Sequence, residues 1–182
     1  MSKMHFVTMK SIRNAYRRVH KELELHGFMD NKLKQIQVYR GFLDRNYGWQ
    51  DYGKSRIIYI PLVSFSKLRD YFTCSYTSLA DVLRHEYGHA VADTHRGLMR
   101  SRKFSDTFGG AHNSFIRQEY DEDVHITEYA AKNPAEDFAE VFMFYLKHKG
   151  KIPYHLDYTP ISKKWRFIEN LGTAIRKGKS RW

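Results

Sequence analysis

Apolar residues recur at three- and four-residue steps in four stretches of the chain, and each predicts a helix. In residues 5 to 26 the stripe is Phe6, Met9, Ile12, Tyr16, Val19 and Leu23, and Gly27 closes it. Residues 78 to 94 form the second, with Thr77 or Ser78 as its cap and Asp81 in the first turn. Residues 134 to 148 carry the clearest pattern. Asn133 is placed to cap, Pro134 suits the first helical position, and Phe138, Val141, Phe142 and Tyr145 make the stripe. Gly150 and Pro153 stop it, and residues 160 to 176 form a last helix on Ile161, Trp165, Ile168, Leu171 and Ile175.

Two stretches follow a different rule. KQIQVYR, residues 34 to 40, alternates, and RIIYIPLV, residues 56 to 63, is a short apolar run; both read as strands, with Pro61 at a sheet edge or strand end. NYGWQDYG between them reads as a turn. Residues 95 to 132 keep no single period: a basic loop, the Gly109–Gly110 pair and the acidic run EYDEDVHITEY. The expected fold is therefore α+β, mostly helical with a small N-terminal sheet. One domain spanning 1–182 accounts for the pattern, with residues 176–182 as a frayed basic tail.

Composition narrows the class. The chain has 182 residues, 42% hydrophobic and 15% aromatic, enough to bury a core without staples. Its one cysteine, Cys74, can form no intrachain disulfide, which suits a reducing compartment. No run resembles a signal peptide or a membrane span, so a cytoplasmic protein is expected, with signal-less export as an effector the other route. The net charge of +11 favours an anionic partner, nucleic acid or acidic protein. The basic residues are dispersed, however, and no RRM, KH or zinc-finger spacing accompanies them, so they read first as solvated surface.

The chemistry concentrates in LRHEYGHAVADTH, residues 83 to 95. His85 and His89 stand at i and i+4, one above the other on a helix face, where two imidazoles can hold one zinc ion. Glu86 beside them can take a proton from a metal-activated water. Gly88 costs about 1 kcal/mol against Ala inside a helix, which points to close packing there. A catalytic zinc wants a third protein ligand and an open position. His95 is one candidate, on the metzincin pattern H-E-x-x-H-x-x-G-x-x-H, although Ala92 stands where that pattern has glycine. Glu136 is the other. It shares a helix face with Glu140, and two like charges at i, i+4 repel unless a cation lies between helices. Glu140 would then accept a hydrogen bond from a ligand histidine. Asn133-x-x-Glu136 is also capping-box spacing, so both candidates stay open on spacing alone.

HEYGHAVAD, Tyr129 and AEDFAEVF together resemble the gluzincin metallopeptidases, the group that includes the anthrax lethal factor catalytic domain and the Pro-Pro endopeptidases. The likeness covers about residues 78 to 146. It implies a small gluzincin-like domain, its active-site helix packed beside a second, ligand-bearing helix. It implies His85, His89 and Glu136 as zinc ligands, Glu86 as general base, and Tyr129, seven residues before Glu136, as oxyanion donor. The implied activity is zinc endopeptidase action on a protein or peptide. An extended substrate is expected to add beside an edge strand, either 56 to 63 or Gly109-Gly110-Ala111-His112. His112 and His125 read as ordinary polar residues.

Overall fold

The computed structural model describes residues 7–41, 48–51, 53, 56–61 and 78–182. The expected helix residues 5 and 6, the strand residues 62 and 63, parts of the expected turn (46, 47 and 52), Cys74 and Thr77 lie outside the described residues.

Helix α1, Met9–Leu25, starts later than its apolar period because Thr8 takes the cap, its hydroxyl accepting from the Ser11 N–H at 3.0 Å. Ile12, Ala15, Val19 and Leu23 are buried along one face. Gly27 ends it at φ +82°, where a Cβ would stand 2.8 Å from the Gly172 carbonyl oxygen. The first strand also starts late. Asp30 Oδ1 accepts from the N–H groups of Lys32 and Leu33, which winds Leu33–Gln35 into a 3₁₀ turn. Strand β1 therefore runs Gln37–Gly41, not from residue 34.

Strands β2, Gly48–Asp51, and β3, Arg56–Pro61, complete one sheet of order β1-β3-β2. β1 lies parallel to β3 with Gln37 opposite Ile57, and β2 lies antiparallel with Trp49 opposite Ile58. Two expectations change here. The middle of NYGWQDYG is a strand, bounded by glycines of positive φ at 48 and 53. And β3 is the central strand, its Ile58 and Ile60 buried, with Pro61 at its end. β3 is thus no free edge.

Helix α2, Leu79–Thr94, is capped by Ser78 and buried on nearly every side, as a helix running through the centre of a domain must be. The short helices α3, Arg96–Met99, and α4, Arg102–Phe108, follow; Gly109 ends α4 at φ +72°. Asn133 Oδ1 accepts from the N–H groups of Ala135 and Glu136, and Pro134 opens α5, Pro134–Lys147. Helix α6 spans Thr159–Arg176. The described residues form an α+β fold, mostly helical with a small three-stranded sheet. No helix among the described residues is long and apolar enough to cross a membrane.

α2 packs on α5 more extensively than any other pair of helices. A Cβ on Gly88 would stand 3.1 Å from the Ala139 Cα, so the helices touch backbone to backbone there. Rings of Phe104, Phe108, Phe138 and Phe167 fill the layer between α4, α5 and α6. Buried ion pairs lock the frame. Arg84 of α2 reaches Glu22 of α1 through two bonds of 2.7 Å and also pairs with Asp81, which Lys147 of α5 meets at 3.2 Å. Lys164 of α6 meets Asp137 of α5 at 2.6 Å and donates to the Val124 carbonyl. The basic tail expected to fray is seated: the Trp182 indole N–H donates to the Leu98 carbonyl at 2.8 Å, and its ring lies against Phe167.

The Lys164–Asp137 pair is almost wholly buried, so removing one partner strands a charge. Lys164→Met should lower unfolding stability by about 3–5 kcal/mol, and the double variant Lys164→Met/Asp137→Leu should recover most of the loss. Urea midpoints of the two variants check this.

Candidate metal centre

The close approach at Gly88 decides which side chains meet. His85 and His89 flank that glycine on α2, and Glu136 and Glu140 flank Ala139 on α5. Three atoms converge. His85 Nε2 lies 3.1 Å from His89 Nε2 and 3.2 Å from Glu136 Oε2, and His89 Nε2 lies 3.3 Å from the same oxygen. A tetrahedral zinc ion with bonds of about 2.0–2.2 Å holds its ligand atoms roughly 3.3–3.6 Å apart, so these edges need only a slight expansion to seat one. His85, His89 and Glu136 are the one cluster among the described residues with the reach to hold a metal ion.

The donor set fits a cation on further grounds. Glu136 Oε2 is buried and accepts no well-aligned hydrogen bond among the described residues, despite the two nitrogens facing it. The His85 ring is turned by Glu140: Nδ1–H donates to Glu140 Oε1 at 2.9 Å, which leaves the Nε2 lone pair facing the cluster. Glu140 is fully buried, and its other oxygen accepts from the Thr127 hydroxyl at 2.9 Å. Such partners fix the tautomer of a ligand histidine and raise its basicity. Burial disfavours a charged His85, but the carboxylates of Glu136 and Glu140 outweigh it and hold the imidazole pKa above its ordinary value. Burial likewise disfavours a charged Glu136, and His85 and His89 outweigh it, holding the carboxyl well below the usual range. The pocket is thus built for positive charge. It also has one open side: the His85 side chain is 3% exposed, whereas those of His89 and Glu136 are 20% exposed.

Glu86 is buried beside the triangle, and its Oε2 accepts from the Trp49 backbone N–H at 2.7 Å. The Tyr129 ring stands edge-on to His85, centroids 5.9 Å apart, with the Lys132 ammonium over it at 3.9 Å. His95 is elsewhere. Helix α2 continues through Ala92 to Thr94, so His95 never swings back toward His85. Its Nδ1 meets the Val91 carbonyl at 3.1 Å and its Nε2 meets Asp30 at 3.1 Å, which makes it a clasp between the end of α2 and the loop after α1. The metzincin-like alternative therefore fails for want of a helix break at Ala92.

His112, read as an ordinary polar residue, packs edge-on against Phe104 and Phe138. Burial and the neighbouring His89 push its pKa down to about 4, so the ring is neutral at physiological pH. His125 is buried, with Nε2 3.2 Å from Gln118 Oε1. Gly109 and Gly110 serve the chain's own packing: a Cβ would meet Gln118 at the first and Pro134 at the second. Reading the sequence alone missed Thr127, Gly48 and Trp49. A lone threonine in THR–GLU–TYR context carries no spacing signal, and the strand contact to Glu86 is purely tertiary.

A family profile described as "putative zinc-binding metallo-peptidase" (Peptidase_Mx) matches residues 63–155, just over half of the chain and the whole of this cluster. No curated protein and no solved structure matches the chain.

Purified protein supplied with zinc should bind about one ion per chain, and Glu136→Ala should lose it. Glu140→Gln should weaken binding about 10–100-fold while keeping the fold. Elemental analysis and chelator competition distinguish these outcomes, and undiminished zinc in Glu136→Ala would remove that residue from the ligand set.

Proposed function

Because the chain belongs to this family of zinc-binding metallopeptidases, we propose that it is an endopeptidase of gluzincin type, with its reaction centre at His85, His89 and Glu136. The observation that carries the reading is the 3.1–3.3 Å triangle, backed on one side by Glu140 and Thr127 and open on the other. Zinc held there supplies Lewis acidity, which polarises a carbonyl oxygen and acidifies water.

The remaining work falls to the protein's own groups. Glu86 takes a proton from the attacking water onto its carboxylate and passes it to the departing amine nitrogen as the peptide C–N bond breaks. A site serving only structure has no use for a carboxylate beside the ligands. The Tyr129 hydroxyl donates to the oxyanion that forms on the former carbonyl; its ring already stands beside His85. Glu140, acting through His85, keeps one ligand's lone pair aimed inward. The substrate is a protein or peptide in extended form. Among the described residues, β2 is the edge strand that packs on α2, and it takes the place expected of β3 as the strand an extended peptide would lie along.

Glu86→Gln should keep its zinc and lose turnover by about 10²–10⁴-fold, scored by mass spectrometry on a proteome-derived peptide library. Tyr129→Phe should lower kcat by about 10²-fold with zinc content intact. Wild-type turnover in Glu86→Gln would sink the mechanism, and an unchanged rate in Tyr129→Phe would leave the tyrosine a packing role.

A further inference from the structure

Resting on the reading of Glu86 as the base, we propose that the Gly48–Trp49 segment of β2 is a positioning element that holds the Glu86 carboxylate in its reactive orientation through a backbone amide. The Trp49 N–H donates to Glu86 Oε2 at 2.7 Å, within the range of a charge-assisted bond. Trp49 is paired with Ile58 in the antiparallel register, yet its amide is committed to Glu86 and so faces away from β3, toward α2.

Gly48 lies on the carboxylate itself. A Cβ there would stand 2.6 Å from Oε2, 2.9 Å from Cδ and 3.0 Å from Oε1. Its φ of +87° also belongs to the left-handed region that favours glycine. Two independent constraints, space and conformation, therefore select glycine at 48.

The strand is fastened to the helix beyond this bond. The Trp49 indole N–H donates to Asp93 Oδ2 at 2.7 Å, seven residues further along α2. Asp51 at the end of β2 meets Arg96 at 3.4 Å, just past α2. Glu86, Asp93 and Arg96 thus tie β2 along the helix that carries the base. A carboxylate acting as base needs its plane and its reacting oxygen fixed, and small misplacements cost large factors in rate. Fastening Oε2 to a strand amide fixes that plane. The strand amide is a better anchor than a side chain, because it has no rotamers of its own.

The test uses the zinc-loaded full chain with the Trp49 amide replaced by an ester, through a tryptophan α-hydroxy acid installed by nonsense suppression. This deletes the one N–H and keeps the indole. Zinc stoichiometry should stay at the wild-type level, KM should change little, and kcat should fall about tenfold. In a Glu86→Gln background the ester should have no further effect, because its action passes through that carboxylate. Gly48→Ala should reproduce the kcat loss, while Trp49→Phe, which keeps the amide and loses the Asp93 bond, should lose less. A readout free of turnover accompanies these: the ¹⁵N-labelled Trp49 amide proton should resonate downfield and move upfield in Glu86→Ala. An unmoved amide resonance, an unchanged kcat in the ester, or an equal ester effect in the Glu86→Gln background would each overturn the proposal. If Glu86→Gln itself turns over like wild type, the base reading falls and takes this proposal with it. An inactive Glu86→Gln beside a fully active ester would reject the positioning role alone.

Discussion

The contact between Gly88 and Ala139 sets the geometry on which the rest depends. With no Cβ at 88, the axes of α2 and α5 approach until a methyl group there would press on the Ala139 Cα at 3.1 Å. Both helices then present residues three before and one after the contact point. On α2 these are His85 and His89; on α5 they are Glu136 and Glu140. An i, i+4 pair from each helix meets across a single close contact, so two histidines and two carboxylates share one layer. A larger residue at 88 would part the helices and lengthen the two edges of the triangle that run to Glu136. The helix-propensity cost of glycine is offset by that proximity.

Charge explains why the layer takes the form it does. Glu136, Glu140 and Glu86 bring three carboxylates to two imidazoles in a largely buried place. Neutral histidines leave that set with a large negative excess, and a dication reduces it. The same proximity makes the carboxylates hold the His85 imidazole pKa above its ordinary value, and the imidazoles hold the Glu136 carboxyl below the usual range. Glu140 faces Nδ1 of His85 and the Thr127 hydroxyl, so its charge acts through the imidazole. The two acids, alike in sequence context, are separated in role by one helical turn.

The sequence made the helices legible because their signals are local. Ser78, Asn133 with Pro134, and Gly27 mark ends by bonds and angles set within a few residues, and the apolar stripes face the core as the period requires. His85, Glu86 and His89 were legible for the same reason, since their spacing is a property of one helix. The errors fall where a distant group decides. β2 is four residues long between glycines, and what makes it a strand is pairing with β3 and bonds to Glu86 and Asp93. The Asp30 side chain, not alternation, sets where β1 begins. Spacing alone could not choose between Glu136 and His95, because a residue contributed by another helix leaves no periodic trace. The deciding fact for His95 was that α2 does not break at Ala92, an outcome Ala permits and glycine would have made easier to avoid.

The ionic ties of the core fall beside the His85, His89 and Glu136 cluster. Arg84 sits immediately before His85, and its bonds to Glu22 and Asp81 fix the N-terminal half of α2 to α1. Asp137 sits immediately after Glu136, and its pairing with Lys164 fixes the start of α5 to α6. Each of these buried charge pairs thus stands one residue from a member of the cluster, His85 on α2 and Glu136 on α5. Such pairs contribute little net stability against apolar packing, but each has few alternative geometries. Apolar contacts alone would let α2 and α5 slide by fractions of an ångström at modest cost. A triangle with edges of 3.1–3.3 Å does not tolerate such sliding, so the ionic ties serve the site's register more than the fold's stability. On the other side of the cluster, His89 and Glu136 stay partly exposed.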